Sequence, residues 1–196
     1  MREKKLTKRQ QQRVATGRDL LDASLELFVR KGFAGTTVRD IARAAKVSPG
    51  LMFHYFPSKD ALLEAHAKVI AGGIENVVHQ LRSSSAPLDT FRSIAAAILA
   101  SLHEANDRNL FLLANQMLSL DSIPMAAKKK VSRSRTIEAS ASLIKQGQRR
   151  GEIRKGNPES LALAFWGAIQ GIAEILVWNP RSPVPESETV IRILTP

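Results

Sequence analysis

The stretch from Thr36 to Lys59, TTVRDIARAAKVSPGLMFHYFPSK, restricts this chain more than any other part of it. Thr37 is followed three residues later by Asp40, a pairing in which the hydroxyl satisfies an orphan backbone N–H while the carboxylate favours the positive helix end. Thr37 is therefore expected as an N-cap. Behind it Val38, Ile41, Ala42 and Ala45 recur at helical spacing, and the alanines leave room for a second helix to cross closely. This helix should end near Lys46. Val47 plugs the corner, Ser48 is a good N-cap, and Pro49 suits the first turn of a second helix of about two turns. Phe56-Pro57 stops it, because the residue before proline is pushed out of the helical region, and Ser58 can cap the next helix. Two short helices joined in this way form the geometry that lays its second member in the DNA major groove.

The run KGFAGTTVRDIARAAKVSPGLMFHYFPSKDALL resembles the DNA-binding domain of the TetR family of transcriptional regulators, through the pattern IA-x-x-A-x-VS-x-G-x-x-F-x-YF-x-x-K. The resemblance covers about residues 13–63 closely and the remainder only in length and helical pattern. It implies an all-α chain with an N-terminal three-helix helix-turn-helix domain, then a helical effector-binding and dimerisation domain. It also implies that Thr37, Tyr55 and Lys59 hold phosphates, while Arg39, Pro49, Gly50, Leu51 and His54 face the groove, with Ser48 at the start of the same helix. Arginine can donate two hydrogen bonds to guanine, and the second helix carries no Arg, Lys, Asn or Gln, so Arg39 is the best base reader. Two departures stand out. Lys46 occupies a turn position where the family usually has glycine, so the turn must tolerate a side chain or a strained backbone. Phe53 replaces a usual tyrosine whose hydroxyl meets phosphate; Phe53 is expected in the core.

Charge supports the same end of the chain. The net charge is +11, and residues 1–60 hold 13 Lys and Arg against 6 Asp and Glu, leaving 16 against 12 for the rest. That excess sits where DNA is expected. Residues 1–13 read as a polar basic arm, either a solubilising tail or an arm that contacts DNA, followed by the helix-turn-helix domain over 14–60 and the body over 61–196. From Val14 to Arg30, Leu21, Leu25 and Phe28 mark a core helix that Gly32 ends. A long amphipathic helix should follow to about Arg82, with adjacent Gly72 and Gly73 inside it. Ser83 to Pro87 breaks the chain. Helices are then expected over Leu88 to about Glu104, Asn109 to Leu120 after a corner at EANDRN, about Pro124 to Arg150, Pro158 to Trp178, and Glu186 to Leu194.

The segment PESLALAFWGAIQGIAEILVW, Pro158 to Trp178, is apolar almost all the way round, which implies a second packing partner. The same helix of another subunit fits, giving a two-fold dimer through a four-helix interface; a central helix of a monomeric bundle has the same periodicity. Ile70, Ile74, Phe91, Ile98, Phe111, Met117, Phe165, Trp166 and Gln170 are the candidates for an effector pocket. His66, His79 and His103 are scattered without ligand spacing, so no metal or other cofactor is expected. Lys128, Lys129, Lys130, Arg133 and Arg135 read as a solvated face.

Cysteine is absent, which agrees with a reducing compartment. No run reads as apolar for a bilayer's width and no apolar core follows the basic N-terminus, so a cytoplasmic protein is expected. The leading expectation is a dimeric repressor that binds a palindromic operator and is released by a small molecule. Its rival is a small helical enzyme or lipid-handling protein with a basic head. The rival lacks a nucleophile–base motif, a phosphate loop and an HExxH sequence.

Overall fold

Every regular element of the computed structural model is a helix among the residues it describes, which are 7–119, 123–125 and 134–196. We label them α1 (Lys8–Gly35), α2 (Val38–Ala44), α3 (Pro49–Tyr55), α4 (Lys59–Ser83), α5 (Pro87–Ser101), α6 (Ala105–Ser119), α7 (Ser134–Arg150), α8 (Pro158–Trp178) and α9 (Ser187–Ile191). The all-α expectation holds.

Helix α1 begins earlier than the polar sequence of the arm suggested. Thr7 caps it through a capping box with Gln10, so residues 8–13 of the basic arm form the first turns of a helix. The signal was a local hydrogen-bond pair, which hydrophobic periodicity does not register. Near the other end Gly32 has φ 74°, a conformation glycine adopts freely, and the helix kinks there before Thr36 closes it. Thr36 is buried, and its hydroxyl donates to the carbonyls of Leu27 at 3.1 Å and Gly32 at 2.8 Å. The kinked end is thereby fixed.

Two apolar cores meet along α4, which is about 37 Å long at 1.5 Å per residue. The first is built on Leu20, Leu25, Phe28, Ile41, Met52, Leu62 and Leu63, and it extends beyond the first three helices to Leu113, Ala114 and Met117 of α6. The second joins Val78, Leu81, Phe91, Leu99, Ile144, Phe165 and Ile169 from α4, α5, α7 and α8, closed by Val190 and Ile191 of α9. Ile74 packs against both. Phe91 and Phe165 meet edge to face with centroids 5.0 Å apart, an arrangement that adds about 0.5–1.5 kcal/mol beyond area burial. Helices α7 and α8 are tied by the Trp166 indole N–H donating to the buried Ser140 hydroxyl at 2.9 Å.

Helix α6 starts at Ala105 rather than Asn109, so most of the expected corner EANDRN is its first turn. Polar residues such as Asn106 and Asp107 are tolerated there because early N–H groups lack intrahelical partners. The expected helix from Pro124 is described only over Ser134–Arg150; Lys128, Lys129, Lys130 and Arg133 lie outside the described residues. Arg135 is exposed and paired with Glu75 of α4. The expectation about bilayer width needs correcting too: α8 is long and apolar enough to cross a membrane by length and composition. Its mixed face explains this. Ala162, Phe165, Ile169, Ala173 and Leu176 enter the body core, while Leu163, Ile175 and Trp178 remain exposed at 59%, 44% and 72%.

Candidate nucleic-acid interface and effector cavity

The α2–α3 pair is set by caps at every end. Thr37 accepts from the Asp40 N–H and donates its hydroxyl proton to the Asp40 carboxylate at 2.7 Å, while the Thr37 N–H returns to the same carboxylate at 3.1 Å. These two bonds hold the Asp40 carboxyl below its usual pKa, assisted by Lys31 at 3.7 Å. At the far end of α2 the Val47 N–H reaches the Ala42 carbonyl at 2.9 Å and the Lys46 N–H reaches Arg43 at 3.1 Å, the pair of bonds of a Schellman motif. That motif needs a left-handed residue after the cap. Lys46 supplies it with φ 55°, so the departure at this position is accommodated by backbone strain. Ser48 then caps α3 by accepting from the Leu51 N–H at 3.1 Å, with Pro49 in the first turn.

Packing divides α3 into two faces. Met52 is fully buried against Ile41 and Ala42, which are 0% and 1% exposed, and this fixes the crossing of the two helices. Arg39, Ser48, Pro49, Gly50, Leu51 and His54 are all exposed, and Thr37 is exposed at the mouth of α2. Tyr55 is half-buried: its ring lies along Gly17 of α1 and edge-on to His54, with centroids 5.7 Å apart. Phe53 corrects the sequence expectation, since it is 50% exposed rather than in the core. Met52 fills the inward slot, and one residue further round a helix turns the side chain by about 100° toward solvent.

Lys59 shows a role that the residue pattern did not reveal. Its Nζ donates to the Phe33 carbonyl at 2.7 Å and the Thr36 carbonyl at 2.8 Å, and sits 4.2 Å from the centre of the Phe33 ring. Two of three ammonium donors thus bind the end of α1 to the start of α4. The third remains available.

A second concavity opens in the body. A cavity of about 620 Å³ lies between α4, α5, α6, α7 and α8. Of the expected effector residues, Ile70, Ile74, Ile98, Phe111, Trp166 and Gln170 line it. Phe91, Met117 and Phe165 do not: all three are 0% exposed and belong to the interiors of the two cores. Periodicity marks apolar residues as inward without distinguishing a cavity wall from a packed centre. Asp107, Leu110 and Ala114 of α6 complete one wall with Phe111, at the i, i+3, i+4, i+7 spacing of one helix face. Sequence reasoning missed Asp107 because it placed the residue in a corner. Thr136 of α7 also stands on the wall, 7% exposed, with its hydroxyl lacking a hydrogen-bond partner.

Residues 20–66 match the family model described as bacterial regulatory proteins, tetR family. The regulator BetI of Burkholderia thailandensis is 35% identical over 80 residues, 40% of this chain and 41% of its own length. The transcriptional repressor KstR2 of Rhodococcus jostii is 32% identical over 89 residues, 45% of this chain and 42% of its own. The chain thus spans less than half the length of these relatives, one a transcriptional regulator and the other a transcriptional repressor. The crystal structure of AibR in complex with isovaleryl coenzyme A and operator DNA has a similar fold, with TM-score 0.66 and 16% identity over 90% of this chain and 94% of that one.

Proposed function

We propose, from the premise that this chain belongs to the TetR family of transcriptional regulators, that it is a repressor which binds a palindromic operator as a dimer and is released by a small-molecule effector. The observation that carries the reading is the division of α3, with Met52 held at 0% exposure while Pro49, Gly50, Leu51 and His54 stand clear beside Arg39. Such a face is a ridge sized for a major groove.

In this reading Arg39 makes a bidentate contact to a guanine, and His54 and Leu51 supply a polar and an apolar contact to neighbouring base edges. Thr37 and Tyr55 contact phosphates. Lys59 adds its third donor while chiefly holding the head together. The second subunit docks on α8, where Leu163, Gly167, Gly171, Ile175 and Trp178 follow one another at three or four residues along one face. A Cβ added at Gly167 or Gly171 would meet nothing within 4 Å, so no neighbour inside the protomer requires those glycines. A partner helix crossing closely would. The effector enters the cavity beside α4, and a change in the slope of α4 alters the separation of the two α3 helices. KstR2 being a repressor, and AibR having been solved with both a coenzyme A thioester and operator DNA, support repression and ligand response in this chain.

The test is a gel shift on the DNA flanking the gene. Tight, steeply salt-dependent binding to one palindrome, against weak binding to a scrambled duplex of equal length, is the expected result. Equal affinity for both sequences at all salt concentrations would remove operator recognition from the reading.

A further inference from the structure

We infer that the effector cavity selects a lipophilic cation, such as a protonated amine on an apolar body, with Asp107 as the counter-charge. The inference rests on the proposed ligand response and names the chemistry of its ligand. Among the described residues lining the cavity Asp107 is the one ionisable side chain. It is half-buried and makes no hydrogen bond or ion pair with another described residue, unlike Asp22, Asp40 and Asp89, which are all partnered. A carboxylate with no partner among the described residues, on a largely apolar wall, lowers the energy of a cation and raises that of an anion, and low surrounding polarity strengthens both effects.

The neighbouring groups agree. Phe111 stands one turn beyond Asp107 on the same face of α6, and the Trp166 ring lines the cavity from α8. Aromatic faces attract cations and tolerate hydrocarbon, whereas they offer an anion nothing. The Trp166 N–H is already committed to Ser140, so it is not a donor for a carboxylate or phosphate. The apolar part of the lining, such as Ile70, Ile74 and Ile98, suits an alkyl or aryl body, while Asn76, Gln80, Ser101, Thr136 and Gln170 add polar groups without charge. Inside a chain of net charge +11, a negative anchor in the cavity opposes the general field.

Three probes of one length separate charge from hydrophobicity: decylammonium, decanol and decanoate, titrated into the full chain without DNA and followed by isothermal titration calorimetry. Decylammonium should bind about tenfold tighter than decanol, and decanol tighter than decanoate. Asp107→Asn should remove most of the advantage of decylammonium over decanol. Tightest binding of decanoate, or of a short-chain acyl-coenzyme A, would overturn the assignment, as would an unchanged cation preference in Asp107→Asn. Because binding is read without operator, the two readings fail separately. Decylammonium binding that leaves the operator complex intact would sink effector release alone, whereas operator release by an anion would sink the cation assignment alone.

Discussion

Ser24 of α1 and His66 of α4 are joined by a 2.9 Å hydrogen bond inside the head, where they are 0% and 4% exposed. The Ser24 hydroxyl also lies 2.9 Å from the Leu21 carbonyl, to which it donates. Burial lowers the His66 pKa to about 4, only partly opposed by the Leu21 carbonyl. The unfolded chain therefore takes up a proton that the folded chain refuses between about pH 6.5 and 4. Stability should be fully present above pH 6.5 and fall by about 2–3 kcal/mol as pH drops through that window. Urea midpoints measured across it should slope in the natural protein and flatten in His66→Gln. Asp40 acts in the same direction at lower pH, since its lowered pKa contributes stability above the usual carboxylate value that is lost as the pH falls further.

Lys46 carries φ 55° at the hinge of the two short helices. Lys46→Gly relieves that strain at a modest cost in chain entropy, and should raise stability by about 0.5–1 kcal/mol. Denaturant unfolding monitored by helicity reads the gain directly. A loss would show that the Lys46 side chain itself contributes more than the backbone strain costs.

Arg39 and Lys59 should separate by their effect on sequence preference. Arg39→Ala is expected to flatten the preference at one base pair per half-site, worth about 1–3 kcal/mol. Lys59→Met should instead lower the stability of the head by about 1.5–3 kcal/mol, through the bonds to Phe33 and Thr36, and weaken specific and scrambled DNA to the same degree. Binding curves on a panel of single-base operator variants distinguish the two.

Phe53 is exposed on the face of α3 that carries His54. Adding a hydroxyl with Phe53→Tyr should tighten operator binding, by at most about 1.5–3 kcal/mol for a bond to a charged phosphate. Weaker binding in the same assay would mean that the ring edge already meets a base and that the hydroxyl displaces it.

Gly72 and Gly73 lie in the unbroken stretch of α4, and a Cβ at either would meet nothing within 4 Å. Close packing inside the protomer therefore does not require them, while each costs about 1 kcal/mol in a helix interior relative to alanine. The double change Gly72→Ala with Gly73→Ala should stabilise the chain and stiffen α4 beside the cavity, giving a dimer that binds operator and responds less to its effector. Operator affinity measured with and without ligand gives that coupling, and wild-type coupling in the variant would retire the soft-helix explanation.

The helix-turn-helix was legible in the sequence because short polar signals set it: Thr37 with Asp40, Ser48 before Pro49, Phe56 before Pro57. These act over three or four residues, within reach of any sequence reading. Helix α8 was legible for a similar reason, since Asn157-Pro158 and Asn179-Pro180 mark its ends. What stayed hidden was long-range. Nothing local distinguishes Phe53 from Met52 as the inward residue of α3, because both are apolar and the choice depends on where α2 crosses. Lys59 meets carbonyls 23 and 26 residues away, and no spacing rule covers such a contact. Phe91 and Phe165 looked like pocket residues because a cavity wall and a packed centre have the same composition. Asp107 was hidden by a misplaced corner, although its offset of four from Phe111 was there to be counted.

Helix α6 sends Leu113, Ala114 and Met117 into the core of the head, and it clasps α1 through Asn106 to Asp22 and Gln116 to the Val29 carbonyl. The head is therefore not a cartridge that ends where its sequence signature ends. A chimera that transplants residues 1–60 onto a foreign scaffold would leave Leu20, Leu25 and Phe28 without the leucine and methionine of α6 that cover them, and stripping a buried side chain of that size from a core costs on the order of 2–5 kcal/mol. Any transfer of the head to another body should cut the chain so that α6 travels with it.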